Sequence, residues 1–413
     1  MRLPLRRCGR IVAIWLIACA LLTGACTSTN GATSVTLVTP APVDSAALSI
    51  AAARESRLVA YRARDGSTRW TYTSQSENYD LDYGIRYGAG LVIGFTFSNS
   101  EPDHLTLVAV GAPDGRLRWH VRLPGLIAPQ VAVARDYVVV ELGTLGSPGP
   151  LRVIRASDGA QVHDIPLAGA GWIAADGDLA FECTHGAVLT AYRLEDGQPM
   201  WSVPIAPAAA APEQPCGLSA GDGIVFGHVM IPTAQGQQMN ELVAVRESDG
   251  HRLWQKPLGL DLLKDGRGYY FVEPASVPST GQIPTPRSLG AYRTADGKML
   301  WQIPAGTEDN FNIAGDGNVL VFAQGGDLRA VRASDGASLW HYPHPPDHSL
   351  GVVNVTGGLV FALSTGGWSM RHPPPLGTDT RQHLLVLDAG NGRLYWQMPL
   401  DLSAIAIGTA ISG

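Results

Sequence analysis

The stretch HYPHPPDHS, from His341 to Ser349, places His344, Asp347 and His348 close together, and the nearby MRHPPP adds His372. Imidazole and carboxylate groups are the ligand types that zinc takes. Three prolines constrain the stretch and no helical periodicity fixes a ligand spacing, so these four residues stand as minor candidates and no metal site is expected. The cysteines point away from redox chemistry: the chain holds Cys8, Cys19, Cys26, Cys183 and Cys216, with no adjacent pair and no Cys-x-x-Cys-His haem motif. No nucleophilic-serine elbow, phosphate-cradling loop or paired-carboxylate motif is present, and no catalytic residue is assigned. Trp368, in the Gly- and Pro-rich STGGWSMRHPPPLGTDTRQ, is suited instead to contacting a peptide or a sugar. Tyr79 and Tyr83, in SENYDLDYGIRY, are suited to the same role.

The elements that must position such residues are repetitive. LVAVRESDGHRLWQKPL, from Leu242, recurs as LVAYRARDGSTRWTY, LVAVGAPDGRLRWHV, LRVIRASDGAQVHDI, LTAYRLEDGQPMWSV, LGAYRTADGKMLWQI, LRAVRASDGASLWHY and LLVLDAGNGRLYWQM. Each copy reads as a hairpin, with an Asp-Gly or Asn-Gly turn between two strands. An Asp or Asn always stands five residues before one register position, occupied by Trp70, Trp119, His163, Trp201, Trp254, Trp301, Trp340 and Trp396. Successive positions lie 38 to 56 residues apart, a period that signals propellers, solenoids or arrays.

Between the hairpins lie two further strand-like segments, as in FNIAGDGNVLVFA and VVNVTGGLVFALS. Each repeat is therefore expected to form one four-stranded antiparallel blade, with strands a to d running outward from an axis. The expected fold is an all-β, eight-bladed propeller. Trp70, Trp119, Trp201, Trp254, Trp301, Trp340 and Trp396 are expected to dock each blade on its neighbour. The first hairpin is preceded by one strand candidate only, and the chain ends LSAIAIGTAISG, so the C-terminal segment is expected to supply strand a of the first blade. Closure of that kind removes open sheet edges. The a–b and c–d turns share one face, while the long segments fall on the other, where binding residues concentrate.

With 48 Gly, 29 Pro and 45% hydrophobic residues among 413, the composition suits a turn-rich globular body. Residues 1–25 read as a signal peptide: MRLPLRRCGR precedes an apolar run too short to span a bilayer. The run ends in LLTGAC, which resembles a bacterial lipoprotein signal and implies lipidation at Cys26. Residues 26–46 have linker composition, and 47–413 form the propeller. Loss of Arg2, Arg6, Arg7 and Arg10 leaves 26 Lys+Arg against 36 Asp+Glu, a net charge of −10 that excludes a nucleic-acid partner. Cys183 and Cys216 are then the remaining thiols, expected on adjacent blades and paired in an oxidising compartment.

The hairpin is similar to the pyrroloquinoline-quinone-type propeller repeat, in which an Ala stands ten residues before a Trp and a Gly four before it. Ala60, Ala109, Ala191, Ala244, Ala291 and Ala330 carry the resemblance, which covers Ala47 to Gly413. The Asp two after this Ala in the family is retained only at Asp388; in six copies Arg62, Arg155, Arg193, Arg246, Arg293 and Arg332 replace it. Quinone dehydrogenases of this superfamily carry adjacent cysteines that this chain lacks, so no cofactor is expected. The chain more closely resembles noncatalytic lipoprotein propellers, such as the scaffold subunit of the outer-membrane barrel-assembly machinery. That resemblance implies a monomeric, exported scaffold, lipid-anchored to a bacterial membrane and facing the periplasm or cell exterior, that binds a protein or peptide. A ligand-sensing or glycan-binding module is the alternative, and a quinone-dependent or other propeller enzyme is a more distant one.

Overall fold

The computed structural model describes residues 49–54, 57–73, 86–98, 101–124, 130–143, 149–167, 171–184, 186–206, 217–232, 238–258, 261–266, 269–273, 287–306, 313–344, 348–366, 382–400 and 407–410. These form eight four-stranded sheets, each antiparallel throughout. Blade one combines strand a, Ile407–Ala410, with Ser49–Arg54, Arg57–Arg62 and Thr68–Thr73. Thr409 pairs with Ile50 and Gly408 with Ala51, so the two ends of the chain meet within one sheet. Each other blade is built from four consecutive strands.

Blade three runs through Val131–Val133, Tyr137–Glu141, Leu151–Arg155 and Gln161–Ile165. Blade four runs through Gly171–Asp176, Leu179–Thr184, Val188–Arg193 and Pro199–Pro204. Blade five runs through Gly217–Gly221, Ile224–Pro232, Gln238–Arg246 and Arg252–Leu258. From blade six through seven, eight, one, two, three and four to five, each strand a packs beside the next.

The hairpin count overstates how alike the blades are, and the expectation of a single four-stranded plan is corrected in that respect. Six sheets keep an unbroken a–b pair. Two do not: the pairing shifts between Leu263 and Gly266 in blade six and between Val352 and Asn354 in blade eight. An extra residue in one strand bends it and re-aims the side chains beyond the bend. The outer c–d pair instead shifts in every blade at one point, just after the residue that faces the repeat Trp or His, as between Ala60 and Tyr61 or Ala244 and Val245.

That shift belongs to the Asp-Gly turn. In blade four, the N–H of Gly197 donates to the Arg193 carbonyl, and the Asp196 carboxylate accepts from the Gln198 N–H at 3.1 Å. The turn closes through a glycine at positive φ, 71° for Gly197. The arginines that replace the family's Asp bond the same turn: Arg155 to Asp158, Arg193 to Asp196, Arg246 to Asp249 and Arg332 to Asp335, at 2.7 to 2.8 Å. Asp388, the retained copy, accepts from the Gly390 and Asn391 N–H groups and from the Tyr395 hydroxyl. The arginine pairs are half exposed, so each contributes well under about 1 kcal/mol.

The repeat tryptophan joins one blade to the next. The Trp70 indole N–H donates to the Ala112 carbonyl at 2.8 Å, and the pattern continues with Trp119 to Ala156, Trp201 to Glu247, Trp254 to Thr294, Trp301 to Ala333, Trp340 to Ala389 and Trp396 to Ala63. Each ring also lies on the turn glycine of the next blade. A Cβ on Gly159 would stand 2.8 Å from the Trp119 ring, and one on Gly392 would stand 2.7 Å from that of Trp340. Glycine is thus required twice, for its backbone and for the ring above it. At the third position His163 lies on Gly197 in the same way, but among the described residues its buried Nε2 has no hydrogen-bond partner. Apolar layers fill the space between blades, as where Phe181, Leu189 and Ala191 meet Leu218, Val225 and Val243.

Candidate functional site at the inner ends of blades three and four

A polar cluster spans blades three and four where their inner strands reach the end opposite the short turns. Gln130 precedes strand a of blade three and Glu141 ends its strand b. The Gln130 amide donates to Glu141 Oε2 at 2.8 Å, and its Oε1 accepts from the Ile173 N–H of blade four at 3.0 Å. One side chain therefore ties the first strands of two blades. Glu182, on strand b of blade four, is fully buried and accepts from the Tyr192 hydroxyl at 2.9 Å.

The electrostatics follow from this burial. Desolvation raises the Glu141 carboxyl above its ordinary value; the Gln130 bond opposes the rise and the charge of Glu182 adds to it. Burial likewise raises the Tyr192 phenol, with the Glu182 charge and hydrogen bond adding to the effect. Tyr192 consequently stays a neutral donor. The arrangement can hold a polar or cationic group beside Glu141, which is partly exposed, while Tyr192 keeps Glu182 oriented behind it.

Trp172, opposite Cys183 in strands a and b of blade four, faces blade five with Ala174, Leu218 and Ala220. Cys183 is disulfide-bonded, and Cys216 lies outside the described residues. Cys26, Trp368, Tyr79, Tyr83, Asp347 and His372 also lie outside them. His348 opens a strand of blade eight, and its own side chain lies outside the described ones.

His344 instead meets a residue that no sequence motif singles out. Asp327 Oδ1 lies 2.6 Å from His344 Nδ1, and Asp327 Oδ2 lies 2.6 Å from His341 Nε2. Despite partial burial, bonds from the His344 N–H and both imidazoles hold the Asp327 carboxyl far below its usual range. The three groups form a clasp between the Gly325–Gly326 turn and the outer strand of blade seven. Among the described residues, no cluster of three or more His, Cys, Asp or Glu could hold a metal ion.

Sequence reasoning missed Gln130, Glu141 and Glu182, because nothing in their spacing relates a residue of blade three to one of blade four. It also missed Glu247, for which a signal existed. In the position two before the turn Asp or Asn, Ala63, Ala112, Ala156, Ala333 and Ala389 are small where Glu247 is charged.

No curated protein sequence matches the chain. Among solved structures, the fold is similar to that of dihydro-heme d1 dehydrogenase NirN in complex with DHE, with a TM-score of 0.56 and 15% identity over 91% of this chain and 77% of that one. BamB from Moraxella catarrhalis aligns at a TM-score of 0.49 and 15% identity, over 77% of this chain and 88% of that one. Quinohemoprotein alcohol dehydrogenase from Comamonas testosteroni aligns at 0.48 and 14%, over 78% and 69%. At these identities the likeness concerns the fold alone, and NirN carries it. The sequence itself is more specific: the family model described as outer membrane protein assembly factor BamB matches residues 103–266 and 285–412, well over half of the chain. The chain belongs to that family.

Proposed function

We propose that the chain is a noncatalytic propeller scaffold, held at a membrane by lipid on Cys26, that binds a protein or peptide through the face carrying its long connections. Membership of a family described as an outer membrane protein assembly factor is the observation that carries this reading. The blade junctions support it: seven indole-to-carbonyl bonds give a ring rigid enough to display loops, and rigid scaffolds carry function on their connections. Cofactor chemistry has no corresponding support, since the sequence contains no adjacent cysteines of the quinone-dehydrogenase kind.

The test uses the full-length, lipidated protein in its native membrane. A photo-crosslinking residue placed at Ser98, Gly143 or Trp368 should capture one defined protein partner, whereas the same probe at Arg116 or Glu195, beside c–d turns, should not. Trp368→Ala should reduce capture from Ser98 and Gly143 without changing the melting temperature. Equal capture from both faces would refute the assignment.

One observation favours a second reading, that of a ligand-sensing module. Glu141, Gln130, Glu182 and Tyr192 converge near the axis, where a small polar ligand could reach Glu141. Loss of that ligand's binding in Glu141→Gln, with protein capture unchanged, would favour it over the scaffold.

A further inference from the structure

The c–d turns follow one electrostatic plan in blades three to seven and depart from it in blades eight, one and two. In the first group an arginine pairs with the turn Asp, as Arg155 does with Asp158 at 2.8 Å and Arg293 with Asp296 at 3.3 Å, and the two charges cancel. In blade one Arg62 donates instead to the Ser67 hydroxyl and the Thr68 carbonyl, while Asp65 accepts from Ser67. Blade two has Gly111 at that position, and its turn Asp114 faces both Arg116, at 4.0 Å, and Arg118, at 2.9 Å. Blade eight has Asp388 there, whose carboxylate accepts from turn N–H groups and the Tyr395 hydroxyl. Among the described residues, neither Arg64 nor Arg393 has an ion-pair partner, and both are exposed.

These three turns are neighbours. Trp396 of blade eight donates to the Ala63 carbonyl, between Arg62 and Arg64, and its ring lies on Gly66. Trp70 of blade one donates in turn to the Ala112 carbonyl and lies on Gly115, while Arg69 Nε donates to the Pro113 carbonyl at 3.1 Å. Arg393, Arg62, Arg64, Arg116 and Arg118 therefore form one exposed arc, opposed only by Asp65, Asp114 and Asp388. The arc is positive on a chain whose net charge is −6. On the same face of blades three, four and five the balance is reversed, since their a–b ends add Asp136, Asp176, Asp178 and Asp222 against Arg135 alone. Two large apolar side chains stand exposed among the arginines of the arc, Leu117 at 45% and Tyr395 at 43%.

The N-terminal segment enters the ring at the same place. Ser49, the first residue of strand b in blade one, pairs with Arg62, so the chain arrives beside the arc and on the face of the short turns. Cys26 stands 23 positions earlier in the sequence. A chain of that length spans at most about 80 Å. Lipid on Cys26 keeps the arc within that distance of a bilayer, where contact is intramolecular and a modest attraction is enough.

We infer that the arc formed by the c–d turns of blades eight, one and two is a membrane-facing surface that lies against anionic phospholipid headgroups. Its nearness to a bilayer rests on the lipid-anchor reading above, and its affinity rests on its own charge. Guanidinium groups bond phosphate oxygens in a forked geometry, cations close to an anionic leaflet are attracted to it, and tyrosine suits the interfacial region. The acidic side of the face, on blades three to five, is repelled. The ring therefore leans on blades eight, one and two and turns its long connections away from the surface.

The experiment separates the arc from the anchor by using the exported chain, residues 26–413, with Cys26→Ser, which keeps every strand of the eight sheets and carries no lipid. This protein should co-sediment with vesicles containing phosphatidylglycerol at low salt, be released by added salt, and stay in solution with vesicles of phosphatidylcholine alone. Arg64→Glu combined with Arg393→Glu breaks no ion pair and should weaken binding at least about tenfold. Arg57→Glu combined with Arg329→Glu makes the same charge change at exposed arginines away from the arc, and should leave binding nearly unchanged. If the first combination does not fold, Arg64→Gln with Arg393→Gln should still bind more weakly than the control.

Absence of binding to phosphatidylglycerol vesicles, or an equal loss in both combinations, overturns the inference. Capture of an acidic protein by the arc in place of vesicles does so too. Fatty-acid labelling of the wild type reads the anchor independently: a missing label with vesicle binding retained overturns the anchor and supports the arc.

Discussion

The indole N–H of Trp396 donates to the carbonyl of Ala63 at 2.9 Å, although 333 residues separate the two. The last hairpin of the chain thereby docks on the first turn in the manner of every earlier tryptophan, and a Cβ on Gly66 would stand 2.9 Å from its ring. Ring closure therefore rests on two separate links: this outer contact, and the inner pairing of Ile407–Ala410 with Ser49–Arg54.

Removal of Ile405 to Gly413 should test the inner link. It deletes strand a of blade one, exposing the edge of Ser49–Arg54, and unpaired edges invite association with other chains. The truncated protein should melt well below the full-length body and aggregate on heating, whereas deletion of Met1 to Asp44 should leave the melting temperature nearly unchanged. Differential scanning calorimetry on the two truncations checks this.

Substitution of a repeat tryptophan should be costly. Trp340 is 9% exposed, and Trp340→Ala should destabilise the protein by about 3 to 5 kcal/mol, as for other buried aromatic truncations. Trp254→Ala should fall in the same range. Trp340→Phe keeps much of the ring but loses the bond to the Ala389 carbonyl, and should cost about 1 to 2 kcal/mol beyond any packing change. Chemical denaturation of the three variants gives the comparison.

Two glycines with positive φ separate backbone strain from crowding. Gly177, with φ +55°, would meet nothing within 4 Å on gaining a Cβ, so Gly177→Ala should cost only the left-handed penalty of about 1 to 2 kcal/mol. Gly159, with φ +75°, carries the Trp119 ring, and Gly159→Ala should cost distinctly more while changing Trp119 fluorescence. Equal costs would show that the ring yields freely.

His163 marks the one hairpin without an indole latch. Its Nε2 is buried without a partner among the described residues, while the equivalent indoles all reach a carbonyl two residues before the next turn Asp or Asn. His163→Trp should let the indole reach the Leu194 carbonyl and gain about 1 kcal/mol, the worth of one such bond. A lower denaturation midpoint in the variant would show that the site is too small for the larger ring.

Thiol chemistry can identify the partner of Cys183. If Cys216 is that partner, unreduced and denatured wild type should resist thiol labelling at both positions, and Cys216→Ser should expose one thiol at Cys183. The stability lost should be about 2 to 4 kcal/mol, as for a loop of moderate length.

Every element under local chemical control was legible in the chain before folding. An Asp or Asn, a Gly and an aromatic at fixed offsets are enough to specify a hairpin, since the turn needs a positive φ and an acceptor close in sequence. The recurrence of that hairpin, and a C-terminal segment matching an inner strand, disclosed the ring and its closure. Features that depend on which blades become neighbours were settled only by packing. Only there do Gln130 and Ile173 come within bonding distance, because the two belong to different blades and no periodicity records their approach. The sheet pairings that shift in blades six and eight were likewise not legible in the hairpin repeat. The repeat sets the frame because its information is local; the polar groups that distinguish one blade boundary from another act across it, and are visible only once the boundary exists.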